Sequence, residues 1–225
     1  MLLFFKKLHT YIFYGLLLLI FGLVYPFLYL FSKHPERYYR QLAFIRKHMV
    51  LTAMALVGIR VKVTFTTPID WSRNYVFCPN HSSTLDIGVL TYLSKIPVSF
   101  IGKEELLNNP VTRIFFKTID IPVKRESKVS AFKAYKQGLT HLQAGKSLVI
   151  FPEGKIDDQF PPILHPFKSG AFRMATASNT SILPIVIHDA WKIFWDDGLK
   201  KGSRPGTIHV TVLAAIEANS NDNDN

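Results

Sequence analysis

Acidic residues are scarce in this 225-residue chain: 16 Asp and Glu stand against 27 Lys and Arg, for a formal charge of +11. The imbalance favours an anionic partner such as phosphate, nucleic acid or acidic lipid, without choosing among them. Cysteine occurs once, at Cys78, which excludes an intrachain disulfide and leaves the redox compartment unread. No internal repeat is present, and no G-x-S-x-G supplies an activated serine nucleophile. The cations are dispersed and form no recognition motif, so a membrane-anchored nucleic-acid binder is the weaker reading of the charge and no nucleic-acid partner is expected.

Formal charge is missing altogether from Tyr11 to Ser32, "YIFYGLLLLIFGLVYPFLYLFS". At about 1.5 Å per residue such a helix is long enough for a hydrocarbon core of roughly 30 Å. It is too long for a signal-peptide core and lacks a small-residue cleavage site after it, so it is expected to stay in the mature protein. Tyr11, Tyr14, Tyr25 and Tyr29 suit the interfaces, and Pro26 marks a possible kink. A spanning helix and a monotopic re-entrant hairpin both fit. Lys6 and Lys7 precede the run, whereas Lys33, Arg37, Arg40, Arg46 and Lys47 follow it, which for a spanning helix places the main domain on the cytoplasmic side. Residues 39–58 carry a second apolar stripe through Leu42, Phe44, Met49, Leu51 and Met54. That stripe fits either a helix lying on an anionic membrane surface or an ordinary core helix.

Beyond Gly58, strand-like and helix-like runs alternate. Strands are expected at 61–66, 74–78, 98–102, 119–123, 147–151, 182–188 and 207–213, and helices at 83–95, 103–118 with a break near Pro110, 127–144 and 167–178. The alternation predicts an α/β domain with a mixed, largely parallel sheet flanked by helices. Residues 1–58 are then membrane-associated helices, 59–216 the catalytic-sized domain, and 217–225 a disordered tail without an apolar anchor.

The chemistry gathers at strand exits. "VFCPNHSSTLDIGVL" (76–90) runs from a buried strand through Pro79 into an apolar helix, with His81 and Asp86 in the join. On one continuous helix residues five apart would point about 140° from each other, so the pair can meet only if His81 lies in the turn before the helix. Asp86 would then hold one imidazole nitrogen and leave the other to take a proton. With no protein nucleophile beside it, the base would serve a substrate hydroxyl; an isolated H-x-x-x-x-D also suits a structural histidine. "SLVIFPEGK" ends a buried strand in Glu153 and Gly154, placing a carboxylate to bind a polyol hydroxyl or to hold a loop. Lys103, Lys124, Arg125 and Lys168 follow or open other elements, and would surround a phosphate beside His81 if the sheet brings those ends together. Asn80 and the backbone amides of Ser82 and Ser83 are candidate oxyanion donors. Trp191, Phe194 and Trp195 suggest either a membrane-facing cluster or ordinary packing.

Taken in order, Asn80-His81-Ser82-Ser83-Thr84-Leu85-Asp86, "GKEELLNNP" with "IPVKRES", "FPEGK", and "FKSGAFRMA" with "ILPIVI" resemble the four motif blocks of the glycerolipid acyltransferase family, which includes 1-acylglycerol-3-phosphate acyltransferases. The resemblance covers roughly residues 60–190. It implies acyl transfer from acyl-CoA or acyl-carrier protein to the hydroxyl of a membrane lipid acceptor, lysophosphatidic acid, with no metal or prosthetic cofactor. By position His81 is the general base and Asp86 its partner. The resemblance implies that Lys103 and Arg125 would bind the acceptor phosphate; Lys168 is a further substrate-binding candidate from its place at a helix start. Glu153 and Gly154 shape the glycerol site, and Pro184 lies near the acyl donor. The chain departs from the family pattern at Lys124 and at Lys155-Ile156-Asp157-Asp158, where Thr-Arg often follows Phe-Pro-Glu-Gly.

Overall fold

The computed structural model describes residues 2–195 and 198–218. Two helices, α1 (Leu2–Ser32) and α2 (Tyr39–Leu56), precede the sheet. The chain then runs β1 (Ile59–Phe65), β2 (Val76–Pro79), α3 (Asp86–Leu93), β3 (Val98–Lys103), a 3₁₀ turn (Glu104–Asn108) and α4 (Pro110–Phe116). After these come β4 (Ile121–Val123), α5 (Lys128–Gln143), β5 (Ser147–Val149), α6 (Gly170–Ser178), β6 (Ile182–Ile187), α7 (Ala190–Ile193), α8 (Gly198–Lys201) and β7 (Gly206–Val212). The strands form one sheet in the order β1-β7-β6-β2-β5-β3-β4, parallel at every pairing except β6 with β7. This is the mixed, largely parallel α/β arrangement that the alternation predicts.

Local chemistry explains the element ends. Asn109 caps α4 by accepting from the backbone amides of Val111 and Thr112 at 2.9 and 3.3 Å, and Pro110 occupies the first helical position, where a missing N–H costs nothing. The break expected near Pro110 is therefore a helix start. Gly145, at φ 73°, turns the chain from α5 into β5 in the left-handed region that side chains avoid. β4 is the last strand of the sheet, where Pro122 and its missing donor are tolerated.

β2 is buried throughout, and its side chains alternate between two apolar layers. Val76 and Cys78 pack with Ala134 and Leu142 of α5 and Met174 of α6; Phe77 packs with Met54 of α2 and Val89 and Leu90 of α3. Burial pushes the Cys78 thiol up to about 12.

α1 is the one helix, among the described residues, long and apolar enough to cross a membrane, and only 17% of its most apolar stretch is buried. It runs through Pro26 and lays Phe13, Phe21 and Leu28 on the domain, leaving Leu19, Leu23, Phe27 and Leu30 bare. α2 is a core helix on one face, through Tyr39, Leu42, Met49, Ala53 and Met54, while Phe44 stays exposed. Arg46 corrects the view of its cations as a lipid-facing set. It lies on the buried face and pairs with Asp120 at 2.6 Å, between the rings of Phe100 and Phe115. At the other end, Glu217, the first residue of the expected tail, is held by Arg73 at 2.7 Å and Ser181 at 2.8 Å; residues 219–225 lie outside the described part.

Candidate active site

β2 ends at Pro79 and α3 begins at Asp86, so His81 sits in the turn and not on the helix. The pair closes: His81 Nδ1 lies 2.9 Å from Asp86 Oδ2. The same carboxylate oxygen accepts the amides of Ser82 and Ser83 at 2.8 and 2.9 Å, which fixes the turn around the imidazole. Asp86 is fully buried. With Nδ1 bound to the carboxylate, Nε2 is left as the proton acceptor. Phe151, two residues past the end of β5, stacks on the imidazole with 3.7 Å between ring centroids and so fixes its plane.

The turn is held from three further directions. Asn80 donates to the carbonyl of Ile187 and accepts its amide at 3.0 and 2.7 Å, pinning the exit of β2 to β6. The Ser83 hydroxyl donates to the carbonyl of Phe194. Glu153 accepts the His81 amide at 2.7 Å on one oxygen and the His165 amide at 2.8 Å on the other. These contacts correct the oxyanion candidates: Asn80 and the Ser82 and Ser83 amides are already engaged inside the fold. Of the two tasks open to Glu153, the geometry displays loop holding.

His81 opens onto a cavity of about 360 Å³. β3 and β4 pair with Lys103 opposite Val123, so the adjacent strands deliver Lys103 and, two residues on, Arg125 to the same rim. The inner wall is apolar, through Ile87, Phe100, Leu106 and Phe116, and ends at the Arg46–Asp120 pair. Gly102 keeps this wall open, since a Cβ there would meet the Phe116 ring at 2.5 Å. Lys168 and Gly154 lie in an adjoining depression of about 620 Å³ that shares Arg125. Gly154 needs its left-handed φ of 74°, and the Lys168 ammonium passes 2.9 Å from where its Cβ would be. Pro184 sits on β6 opposite Cys78, its carbonyl accepting the Leu213 amide, and lines neither cavity.

Residues that the sequence marks only as a departure from the motif, with no role attached, complete the walls. Lys155, Ile156 and Asp158 line the main cavity at the segment where the motif departs from its usual form. Asp157, buried beside them, organises the loop by accepting the Ile163 amide at 2.9 Å. That hydrogen bond leads the causes that hold its carboxyl below the ordinary range. Its backbone carbonyl takes the Trp195 indole N–H at 3.2 Å. Trp195 and Phe194 are buried and pack inside the domain, whereas Trp191 is half-buried. Arg46 was findable: it falls four residues after Leu42 and three before Met49, on the stripe that a helix buries.

Comparison with known proteins adds the lineage. A 1-acyl-sn-glycerol-3-phosphate acyltransferase of Borreliella burgdorferi is 30% identical over 162 residues, covering 72% of this chain and 64% of that protein. The Escherichia coli protein of the same description is 26% identical over 176 residues, covering 77% and 68%. The aligned part thus spans about two thirds of these relatives' length. The crystal structure of the 1-acyl-sn-glycerophosphate (LPA) acyltransferase PlsC from Thermotoga maritima superposes with a TM-score of 0.74 over 96% of this chain and 88% of that one. At 18% identity it shows a shared fold. The Acyltransferase family profile matches residues 60–188, more than half of the chain and every element that builds the cavity rim, and the chain belongs to that family.

Proposed function

We propose that this protein moves a fatty acyl group from an acyl thioester to the free hydroxyl of 1-acyl-glycerol-3-phosphate, forming phosphatidic acid. One observation carries the reading. An imidazole held on Nδ1 by a buried carboxylate opens onto the cavity whose rim bears Lys103 and Arg125. The acceptor phosphate binds these cations, which brings the glycerol hydroxyl to His81 Nε2. As the hydroxyl oxygen bonds to the thioester carbon, Nε2 takes its proton; when the carbon–sulfur bond breaks, the imidazolium returns that proton to the leaving thiolate. Asp86 keeps the ring aimed and stabilises its charged form. The thioester is already activated, so the scheme calls on no metal or prosthetic group, and the donor is an acyl-CoA or an acyl-carrier-protein thioester. The apolar inner wall accommodates an acyl chain. Glu153 and Gly154 act by shaping the wall, and Lys168 serves the adjoining depression. The bare face of α1 attaches the protein to a membrane, with the catalytic domain on the cytoplasmic side.

A second acceptor class is favoured by one specific feature. Asp158 stands on the wall opposite in charge to Arg125 and Lys155, a place for the cationic part of a zwitterionic lysolipid headgroup. Purified protein incubated with acyl-CoA and a mixture of lysolipids, with products identified by mass spectrometry, decides between them. Phosphatidic acid as the dominant product supports the first reading; a headgroup-bearing phospholipid supports the second; no acylated lipid defeats both.

A further inference from the structure

β3 joins two concave sites of different character. Its Lys103 end reaches the catalytic cavity, while its Val98 end, about 17 Å away for a six-residue strand, borders a second hollow of about 400 Å³ that has the buried Arg46 in common with that cavity. Arg40, Lys47, His48 and Lys95 line this hollow, and no acidic residue does. Beside it, a groove of about 490 Å³ between α1 and α2 is walled by Val24, Phe27 and Phe31 and shares Arg40 and Phe44 with the hollow.

Intramolecular pairing accounts for only part of this set, since Lys47 and His48 each bond one backbone carbonyl. Arg40 and Lys95 have no hydrogen bond or ion pair among the described residues. Arg40 lies in the first turn of α2, where the positive end of the helix disfavours a cation. Lys47 donates to the Ser94 carbonyl, and partial burial lowers its pKa. Phe44 is 61% exposed beside them, a position with no use for a small soluble anion.

We propose that hollow and groove together hold one anionic glycerophospholipid of the membrane, its phosphate against Arg40, Lys47 and Lys95 and its acyl chains along α1 and α2. Charge complementarity and the continuity of the groove with the bare face of α1 select this occupant. The proposal rests on α1 facing a membrane, and it assigns a lipid that is bound but not turned over.

Flotation with phosphatidylcholine vesicles, pure or doped with phosphatidylglycerol, tests it. Wild type should prefer the doped vesicles. Arg40→Ala with Lys95→Ala should lose about thirty-fold of that preference, given the usual worth of two basic residues near an anionic surface. The double variant should still bind pure phosphatidylcholine and keep its turnover in neutral detergent micelles, which also shows that it folds. Lys62→Ala with Lys133→Ala, both exposed elsewhere, serves as the control. An unchanged preference in the groove variant, an equal loss in the control, or displacement of the protein from doped vesicles by inorganic phosphate but not by chloride of equal ionic strength would overturn the proposal. Wild type failing to bind either vesicle would instead remove the membrane reading beneath it.

Discussion

Asp86 and Glu153 are both buried carboxylates that gather backbone amides around His81, yet they work over very different spans of chain. Asp86 closes a turn of six residues, accepting from His81, Ser82 and Ser83 on one oxygen. Glu153 reaches 72 residues back to the His81 amide and 12 forward to that of His165. The first contact sets the direction of the imidazole; the second sets where the whole turn stands relative to the cavity wall. Aim and position are thus held by separate groups, and substitution can separate them.

The largest effect belongs to the aimed group itself. His81→Ala should lower turnover by about 10²–10⁴-fold, the usual worth of a general base, with the far-ultraviolet circular dichroism unchanged. Turnover near that of wild type would refute the assignment. Glu153→Gln places an NH₂ against one of two backbone N–H donors, leaving a buried donor unsatisfied at a cost of about 1–3 kcal/mol. It should lower the melting temperature and raise KM for the acceptor more than it lowers kcat, a split that steady-state kinetics over a range of acceptor concentrations reads directly. A fall in kcat as deep as that of His81→Ala would mean that Glu153 also touches the reacting atoms.

Arg125→Ala tests the rim. Loss of a charged hydrogen bond, worth about 1.5–3 kcal/mol, should weaken phosphorylated acceptors by about 10–100-fold and leave neutral lysolipids nearly untouched; equal loss on both would move Arg125 out of the phosphate site. The smallest effect is expected at Cys78, behind the site in the wall of β2. Because burial pushes its pKa up to about 12, the fold favours the protonated thiol. The stability this contributes is complete below the ordinary thiol value of about 8.5 and is lost as pH rises from there towards 12. Native protein at neutral pH should resist iodoacetamide, and the unfolded chain should react; rapid native labelling would contradict the burial.

The same contrast of spans explains what could be read in advance. The buried run through Cys78 and the helix after Asp86 are local patterns, so sequence alone located the turn and required His81 to lie outside the helix. Lys103 and Arg125 could be named because each stands at a strand exit, but that their two strands pair in parallel and share a rim is visible only in the sheet. The loop after Gly154 was not legible. Its shape depends on Asp157 binding the Ile163 amide and the Trp195 indole, contacts that no hydrophobic period announces. Asn80 illustrates the converse: its place in the motif suggested an oxyanion donor, yet β6 takes both ends of its amide, a partner visible only once the sheet order is known.

Phe194 carries a consequence for handling the protein. Its carbonyl receives the Ser83 hydroxyl, and its ring meets Phe13 and Tyr14 of α1 edge-on at 6.2 and 5.8 Å. The greasy N-terminal rod is therefore a foundation stone beneath the chemistry as well as a mooring. Trimming it to obtain a water-soluble enzyme would pull that stone out, whereas repainting outward residues such as Leu19 and Leu23 with polar ones leaves the masonry in place.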